Sequence, residues 1–294
     1  PPEAGASSIP ELYLNSLNNP PLLQEVLGSA DGVLQPRDLE FNPVTGKLWL
    51  MNKGNNGSDF LIITNPGGTD QTILKKRDSH SSHFVVNGTA LAFSNINTFA
   101  TSPEVKNTVA DPNSTFMGPT LWPSDLGIFA AANQSNWEPG KPLGSHYDML
   151  HQSPFSMGIA HDDKNAFWVF DGYNENLCHY DFVDDHGPGG EYHADGKVTR
   201  HTDIELVREV DIPSHMVKNQ STGKLYICDT KNGRVIEVDP STAKFVKNLV
   251  ATNELLTSYR EFNGATVTPV IEGLKKPCGI ALRENRLFVS DYES

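Results

Sequence analysis

The stretch Pro277–Leu282 (PCGIAL), followed after a short polar turn by Arg286–Asp291 (RLFVSD), decides the fold. Two short apolar runs separated by a few polar residues predict an antiparallel β-hairpin. The same phrase, an apolar strand, a turn and a second strand ending in Asp or Asn, occurs in good copies that begin at Pro36, Pro154 and Pro213. Two weaker copies begin at Ser81 and Pro123.

The six copies recur with a period of about 45 residues, which is typical of propeller blades. They predict an all-β fold, a six-bladed β-propeller, built as a single domain from residues 1–294. Only two strands of the last blade precede Ser294, so we expect either that Leu22–Leu34 closes the ring or that the chain is incomplete at its C-terminus. A mixed α/β fold is the weaker alternative, since no segment shows a helical apolar period.

Composition narrows the range of partners. Lys and Arg number 23 against 36 Asp and Glu, giving a net charge of −13. Nucleic acids and anionic membranes attract basic surfaces, so we expect neither as a partner. No apolar run approaches the roughly 18 residues of a spanning helix, so no membrane span is expected.

The cysteines and sequons bear on the compartment. Cys178, Cys228 and Cys278 form no C-x-x-C motif, which excludes zinc-ribbon and thioredoxin-type sites. One disulfide with a free thiol and three reduced thiols both remain open. The chain opens on Pro1-Pro2, as a processed product would, and we expect a secreted or lumenal glycoprotein. Five Asn-x-Ser/Thr sequons support this, although chance alone gives nearly as many: Asn56, Asn87, Asn113, Asn133 and Asn219.

Register predicts the candidate site. Because side chains alternate across a strand, the third residue of every copy should face the same way and ring the mouth of the channel. These residues are Asp38, His83, Asp125, Ser156, His215 and Gly279. Imidazole and carboxylate together suit a divalent metal, so His83, His215, Asp38 and Asp125 are the predicted ligands, of zinc first, with iron, manganese or calcium as alternatives. A ring of polar residues solvated by channel water is the competing interpretation.

The phrases resemble NHL-repeat propellers, whose strands carry P-x-G-φ-A and L-φ-V-x-D at this spacing. A distant similarity to peptidyl-hydroxyglycine amidating lyase, a six-bladed propeller of that type, implies zinc ligation by His215 and His83. Asp171–Asn174 resembles the loop carrying that family's catalytic tyrosine, which implies an acid/base role for Tyr173. The third histidine of that family does not align, and its arginine has no assigned counterpart.

A second histidine group lies further along the chain and comprises His146, His151, His161, His179, His186 and His193. The loop Asp184–Gly196 is dense in ligand-type side chains, and its Gly-Pro-Gly-Gly run cannot pair as a regular strand. We expect this loop to fold over the channel mouth and supply a ligand. The alternative is an ordinary polar loop.

Two functions follow from these patterns. The first is a metal-dependent lyase or hydrolase acting on a small-molecule, peptide or glycan ligand at the channel mouth. The second is a non-catalytic module that binds a protein or a glycan, with Trp122 and Trp137 as a contacting rim. A propeller fold hosts both and does not choose between them.

Overall fold

The computed structural model describes residues 24–131, 142–190 and 192–293. Over these residues the chain forms three four-stranded antiparallel sheets, one six-stranded sheet with a single parallel pair, and a final two-stranded sheet. The all-β propeller prediction is confirmed at this level. The blade number is not: the described residues form four blades, not six.

The first blade is a meander of β1 (Pro36–Phe41), β2 (Leu48–Asn52), β3 (Asp59–Thr64) and β4 (Thr72–Lys76). The turn between β1 and β2 is set by Asn42, whose side chain accepts the amides of Val44 and Thr45, both at 2.9 Å. Gly46 then takes a positive φ of 67°, which a side chain would disfavour. This is the hairpin that the first copy of the phrase predicts.

The second blade explains why the sequence predicts too many blades. Ser81–Phe84, the start of the second copy, is a short helix, α1, and the inner strand begins later. Pro123, the start of the third copy, is the last residue of a third strand. Two weak copies therefore belong to one blade of β5 (Gly88–Phe93), β6 (Thr98–Pro103), β7 (Thr120–Pro123) and β8 (Asp148–Met149).

The third and fourth blades begin where the phrase predicts. The third contains β9 (Ser156–Asp163), β10 (Ala166–Asp171), β11 (Asn176–Asp181) and β12 (Lys197–His201). The fourth contains β13 (Met216–Lys218), β14 (Leu225–Asp229), β15 (Arg234–Asp239) and β18 (Thr266–Ile271). The long later intervals arise because a hairpin of β16 (Lys244–Asn248) and β17 (Ser258–Asn263) joins the outer edge of the third blade, where β17 runs parallel to β12.

The last phrase forms the hairpin of β19 (Pro277–Arg283) and β20 (Arg286–Asp291). The inner strands β1, β5, β9, β13 and β19 all line one cleft of about 470 Å³, which is the central channel. Of the segment Leu22–Leu34 that was expected to close the ring, Leu22 and Leu23 lie outside the described residues, and residues 24–34 contain no strand. They lie on the first blade, where Asn52 Nδ2 donates to the Gly32 carbonyl at 2.9 Å and Gln71 Nε2 to that of Val26 at 3.0 Å.

Aromatic side chains fill the junction between the first two blades. Trp49 meets Phe93 and Phe99 edge-on, with ring centroids 5.3 and 5.2 Å apart. Trp122 is fully buried in the same cluster, so its prediction as an exposed rim is wrong. Trp137 and the sequon at Asn133 lie outside the described residues. Cys178, Cys228 and Cys278 are free thiols, and no described helix is long and apolar enough to cross a membrane.

Candidate functional site

The structure brings two of the four predicted ligands together at the channel wall. His215 Nδ1 lies 3.3 Å from an oxygen of Asp38, and His215 Nε2 lies 3.0 Å from the Arg37 carbonyl oxygen. Asp38 also accepts the amides of Leu91 at 2.7 Å and Leu39 at 2.8 Å. Both ring nitrogens and both carboxylate oxygens are therefore already engaged with protein atoms.

Asp38 acts with Glu40 as a clamp between the first two blades. Asp38 accepts the Leu91 amide and Glu40 accepts the Phe93 amide at 3.0 Å, so alternate side chains of β1 cover alternate amides of β5. Burial raises the pKa of Asp38, although the His215 ring opposes the rise. Burial, with help from the Asp38 carboxylate, raises the pKa of Glu40 to about 8. These two carboxyl groups connect the first two blades by accepting backbone amides of β5, and this role explains their position without a metal.

The other two predicted ligands lie elsewhere, so the four do not form one ring. Asp125 sits in the turn after β7, where its Oδ1 accepts the Gly127 amide at 2.7 Å. His83 lies on α1, its Nδ1 bonded to the Thr108 hydroxyl, and it faces His151 with ring centroids 6.3 Å apart. The register argument fails for both because neither belongs to an inner strand.

A different cluster has the donor set of a metal centre. One ligand atom each of His151, His193 and Glu254 lie within 4.8 Å of one another. His151 follows β8 of the second blade, His193 comes from the loop between β11 and β12, and Glu254 from the loop between β16 and β17. Residues far apart in sequence thus converge where these three elements meet.

Carboxylates hold both imidazoles in place. Asp148, which is fully buried, accepts a hydrogen bond from His193 Nδ1 at 2.5 Å. Glu254 bonds to His151 Nδ1 through one oxygen and accepts the His151 amide through the other, at 2.7 Å. Gln152 Nε2 donates to Glu254 at 3.0 Å, and Asn253 Nδ2 donates to the His151 carbonyl at 2.6 Å. Such partners fix the orientation of imidazole ligands.

The cluster fits a zinc-type ion on two counts. His151 Nε2 is buried and has no hydrogen-bond partner among the described residues. Asp148 Oδ2 is likewise buried and lacks one. Unpaired buried polar atoms are rare in proteins unless something else occupies them. Zinc–nitrogen bonds of about 2 Å place two imidazoles on one tetrahedral ion with ring centres about 5 Å apart. The rings of His151 and His193 are 5.4 Å apart.

The surroundings exclude water from one side of the cluster. Phe116 stacks on His151 with ring centroids 3.6 Å apart, and the His151 side chain is almost completely buried. Burial lowers the pKa of His83 to about 4, with further lowering from His151 and His80. Burial likewise lowers the pKa of His146, which stacks on Phe84, to about 3.

A cleft of about 340 Å³ opens beside His151 and reaches Tyr173. Tyr173, about half exposed, lies in the turn between β10 and β11 that Asp171 shapes by accepting its amide at 3.0 Å. Arg200 also lines the cleft, but its guanidinium is bonded to the Gln152 carbonyl and to Asp171, at 2.5 and 2.6 Å. The structure therefore places the predicted tyrosine on the same cleft as His151, with Arg200 holding the segment next to His151.

The predicted loop Asp184–Gly196 contributes to this centre through His193, but not through His186. His186 Nε2 pairs instead with Asp195 at 3.0 Å within the loop, and Glu191 lies outside the described residues. Sequence reasoning missed Glu254 because it stands in a connecting loop with no motif around it. The useful signal in the sequence was the density of His, Asp and Glu residues in the loop Asp184–Gly196. It indicated a site outside the repeat positions.

No protein-family model and no curated protein matches the chain. Among solved structures, it is similar to an auxiliary nutrient binding protein from Bacteroides ovatus, with 10% identity and a TM-score of 0.41 over 70% of this chain and 38% of that one. It is also similar to a protein of unknown function from Bacteroides thetaiotaomicron, with 10% identity and a TM-score of 0.45 over 84% of this chain and 50% of that one. The chain thus spans half or less of these two proteins.

A third similar structure is a putative oxidoreductase, described as a glucose dehydrogenase, from Thermus thermophilus. Identity is 11% and the TM-score 0.38, over 90% of this chain and 92% of that one. With identities this low, no activity or ligand passes from these three proteins to the present chain.

Proposed function

We propose that the protein is a metal-binding β-propeller whose ion is held by His151, His193 and Glu254. The observation that carries this proposal is the convergence of these three donors within 4.8 Å. The donor set, two imidazoles and a carboxylate, occurs in catalytic zinc sites and in non-haem iron sites. Calcium is disfavoured because it selects oxygen ligands. The proposal moves the predicted metal from the channel wall, where Asp38 and His215 are already engaged, to the junction of the second and third blades.

The same cleft supports a catalytic role of the lyase or hydrolase class. A bound ion of this kind polarises a carbonyl or lowers the pKa of bound water. Tyr173 stands on the cleft as a phenol that can donate or accept a proton, and Asp171 fixes its backbone. Asp148 keeps the His193 imidazole oriented. The substrate would be a small molecule, a peptide or a glycan segment that fits about 340 Å³.

The NHL type is part of the proposal, supported by the good copies of the phrase, all of which fall on inner hairpins. Amidating lyase activity finds less support, because the implied ligand His215 contacts Asp38 and Arg37 through its two ring nitrogens. Location in a secretory compartment is supported by sequons alone. The alternative function is a non-catalytic propeller that binds a protein or a glycan. Absence of bound metal in the metal analysis described below would favour it.

Metal analysis tests the site directly. Protein exchanged into zinc and then dialysed should hold about one equivalent, the stoichiometry of a single centre. His151→Ala and His193→Ala should each lose most of it. His186→Ala is the matched control, because His186 lies on the same loop as His193 but pairs with Asp195. Circular dichroism would show that each variant is folded.

The two outcomes that contradict the proposal differ in meaning. Wild-type protein that retains no zinc, iron or manganese would refute the metal centre and favour the interaction module. Retention of full metal by both alanine variants would place the ion elsewhere and bring the channel residues His215 and Asp38 back into consideration. With the metal shown, Tyr173→Phe should lower turnover of a found substrate without lowering metal content.

A further inference from the structure

A second cleft lies at the other end of the first two blades. It has a volume of about 540 Å³, and it is walled by the turn between β1 and β2, the turn between β5 and β6, the turn after β7, and Tyr147 with Asp185. The metal cluster lies at the opposite ends of these strands, because His83 and His151 stand in the segments that lead into β5 and β9. The two clefts have no lining residue in common and are separate sites.

The base of this cleft carries an unsatisfied donor. Trp49 lines the cleft although only 1% of its surface is exposed, and its Nε1 has no hydrogen-bond partner among the described residues. Phe93, Phe99 and Phe129 surround the indole, and their rings offer no strong acceptor. A buried N–H without a partner is rare enough to require an explanation, and a ligand oxygen in the cleft supplies one.

The rim offers acceptors and donors together. Tyr147 has a raised pKa because it is partly buried and because the Asp185 and Asp125 carboxylates lie close to it. Asp125 is held by its bond to the Gly127 amide, and the Tyr147 backbone is anchored to β7 through the Leu121 carbonyl at 2.8 Å. These groups therefore sit on ordered backbone, which is what a preformed ligand site needs.

We propose that this cleft binds a neutral polyhydroxylated ligand, a mono- or disaccharide. Hydroxyl groups can donate to the Asp125 and Asp185 carboxylates and accept from the Trp49 indole, and an aromatic ring such as that of Tyr147 gives a sugar an apolar face to contact. The two carboxylates disfavour an anion. Lys47 on the wall and the indole N–H disfavour a cation.

The indole resonance of Trp49 is the probe. We expect that at least one of D-glucose, D-galactose, D-mannose and N-acetyl-D-glucosamine shifts the Trp49 Nε1–H signal in a ¹⁵N correlation spectrum, saturably and more than the other indole signals. Tyr147→Phe and Asp185→Asn should each weaken that ligand about tenfold, the effect of losing one good hydrogen bond. Asp184→Asn is the matched control, since Asp184 is adjacent but does not line the cleft.

The outcomes are decisive and independent of the metal. Binding should persist in EDTA-treated protein and in His151→Ala, so loss of the metal proposal leaves this one standing. No shift with any of the four sugars would overturn it. A shift with tetramethylammonium alone would also overturn it, by showing a site for cations.

Discussion

Glu40 shows at the residue scale how a buried carboxyl group makes stability depend on pH. Its pKa rises from an ordinary 4.5 to about 8 in the folded protein, because burial and the Asp38 carboxylate disfavour the charge. Between these values the folded state holds a proton that the unfolded state releases, so stability falls as pH rises through this window. Glu40→Gln removes this dependence.

We therefore expect the wild type to gain about 3.5 kcal/mol relative to Glu40→Gln on going from pH 8 to pH 5. Urea unfolding of both proteins at the two pH values measures this difference. Parallel pH dependence in the two proteins would show that Glu40 is ionised in the fold and that the clamp on the Phe93 amide is a charged one.

The sequons differ at the same scale. Asn113 is exposed, whereas Asn87 has a buried Oδ1 and its backbone is tied to Gly54 and Glu104. In a secretory expression host we expect a glycan at Asn113 and none at Asn87, because a glycan needs an accessible amide. Deglycosylation that converts the modified Asn to Asp, followed by peptide mass spectrometry, reads out both positions. A glycan at Asn87 would contradict the packing of this turn.

Asp162 links strands of neighbouring blades at the element scale. From β9 it accepts a hydrogen bond from His179 of β11 at 2.9 Å and pairs with Lys218 of β13 in the next blade. Burial pushes the pKa of Asp162 upward, but the bonds from His179 and Lys218 outweigh burial and hold the pKa below its ordinary value. Its contribution to stability is therefore present above the unfolded pKa and is lost as pH falls through the lower folded one.

Asp162→Asn should accordingly destabilise the protein by about 1–3 kcal/mol near pH 7 and by less near pH 3. Denaturant titration at the two pH values checks this. Asp163→Asn is the control, because the side chain of the neighbouring Asp163 accepts a hydrogen bond from the exposed Asn95, at 3.3 Å, and forms no ion pair with a Lys or Arg of the described residues. Equal losses in the two variants would mean that the link between blades is not what stabilises this region.

The elements that could be predicted from the sequence are those in which the pattern of apolar residues and turns matches the strands that pack in the blade. The hairpins beginning at Pro36, Pro154 and Pro277 alternate, turn and end as their sequences indicate. The blade from Gly88 to Met149 was misread because the apolar run Phe84-Val85-Val86 resembles the start of a strand, whereas Ser81–Phe84 forms a helix and the inner strand begins at Gly88. The sequence places His151 and His193 in one histidine group but does not connect Glu254 with them, since Glu254 stands in a loop whose path depends on how its hairpin packs.

At the scale of the whole molecule, the proposed metal centre joins the second blade to the third blade and to the hairpin that extends the third blade's sheet. His151 belongs to the second blade, His193 to a loop of the third, and Glu254 to the loop of the β16–β17 hairpin. Thr257 adds bonds to the loop of His193, its amide to the Gly196 carbonyl and its hydroxyl to that of Ala194, both at 3.0 Å. An ion held here would bind the folded chain and not the unfolded one, because the three donors converge only on folding.

Ligands that bind only the folded state stabilise it by mass action, by about 2.7 kcal/mol at a free concentration one hundred times Kd. Removing the metal with EDTA should therefore lower Tm by roughly 5 °C for a chain of this size. His151→Ala should already melt at the lower temperature and should not respond to EDTA, whereas His186→Ala should respond as the wild type does. If EDTA strips a measured equivalent of metal from the wild type and leaves its Tm unchanged, the ion does not tie these three parts of the fold together, and the ligands must be sought within one blade.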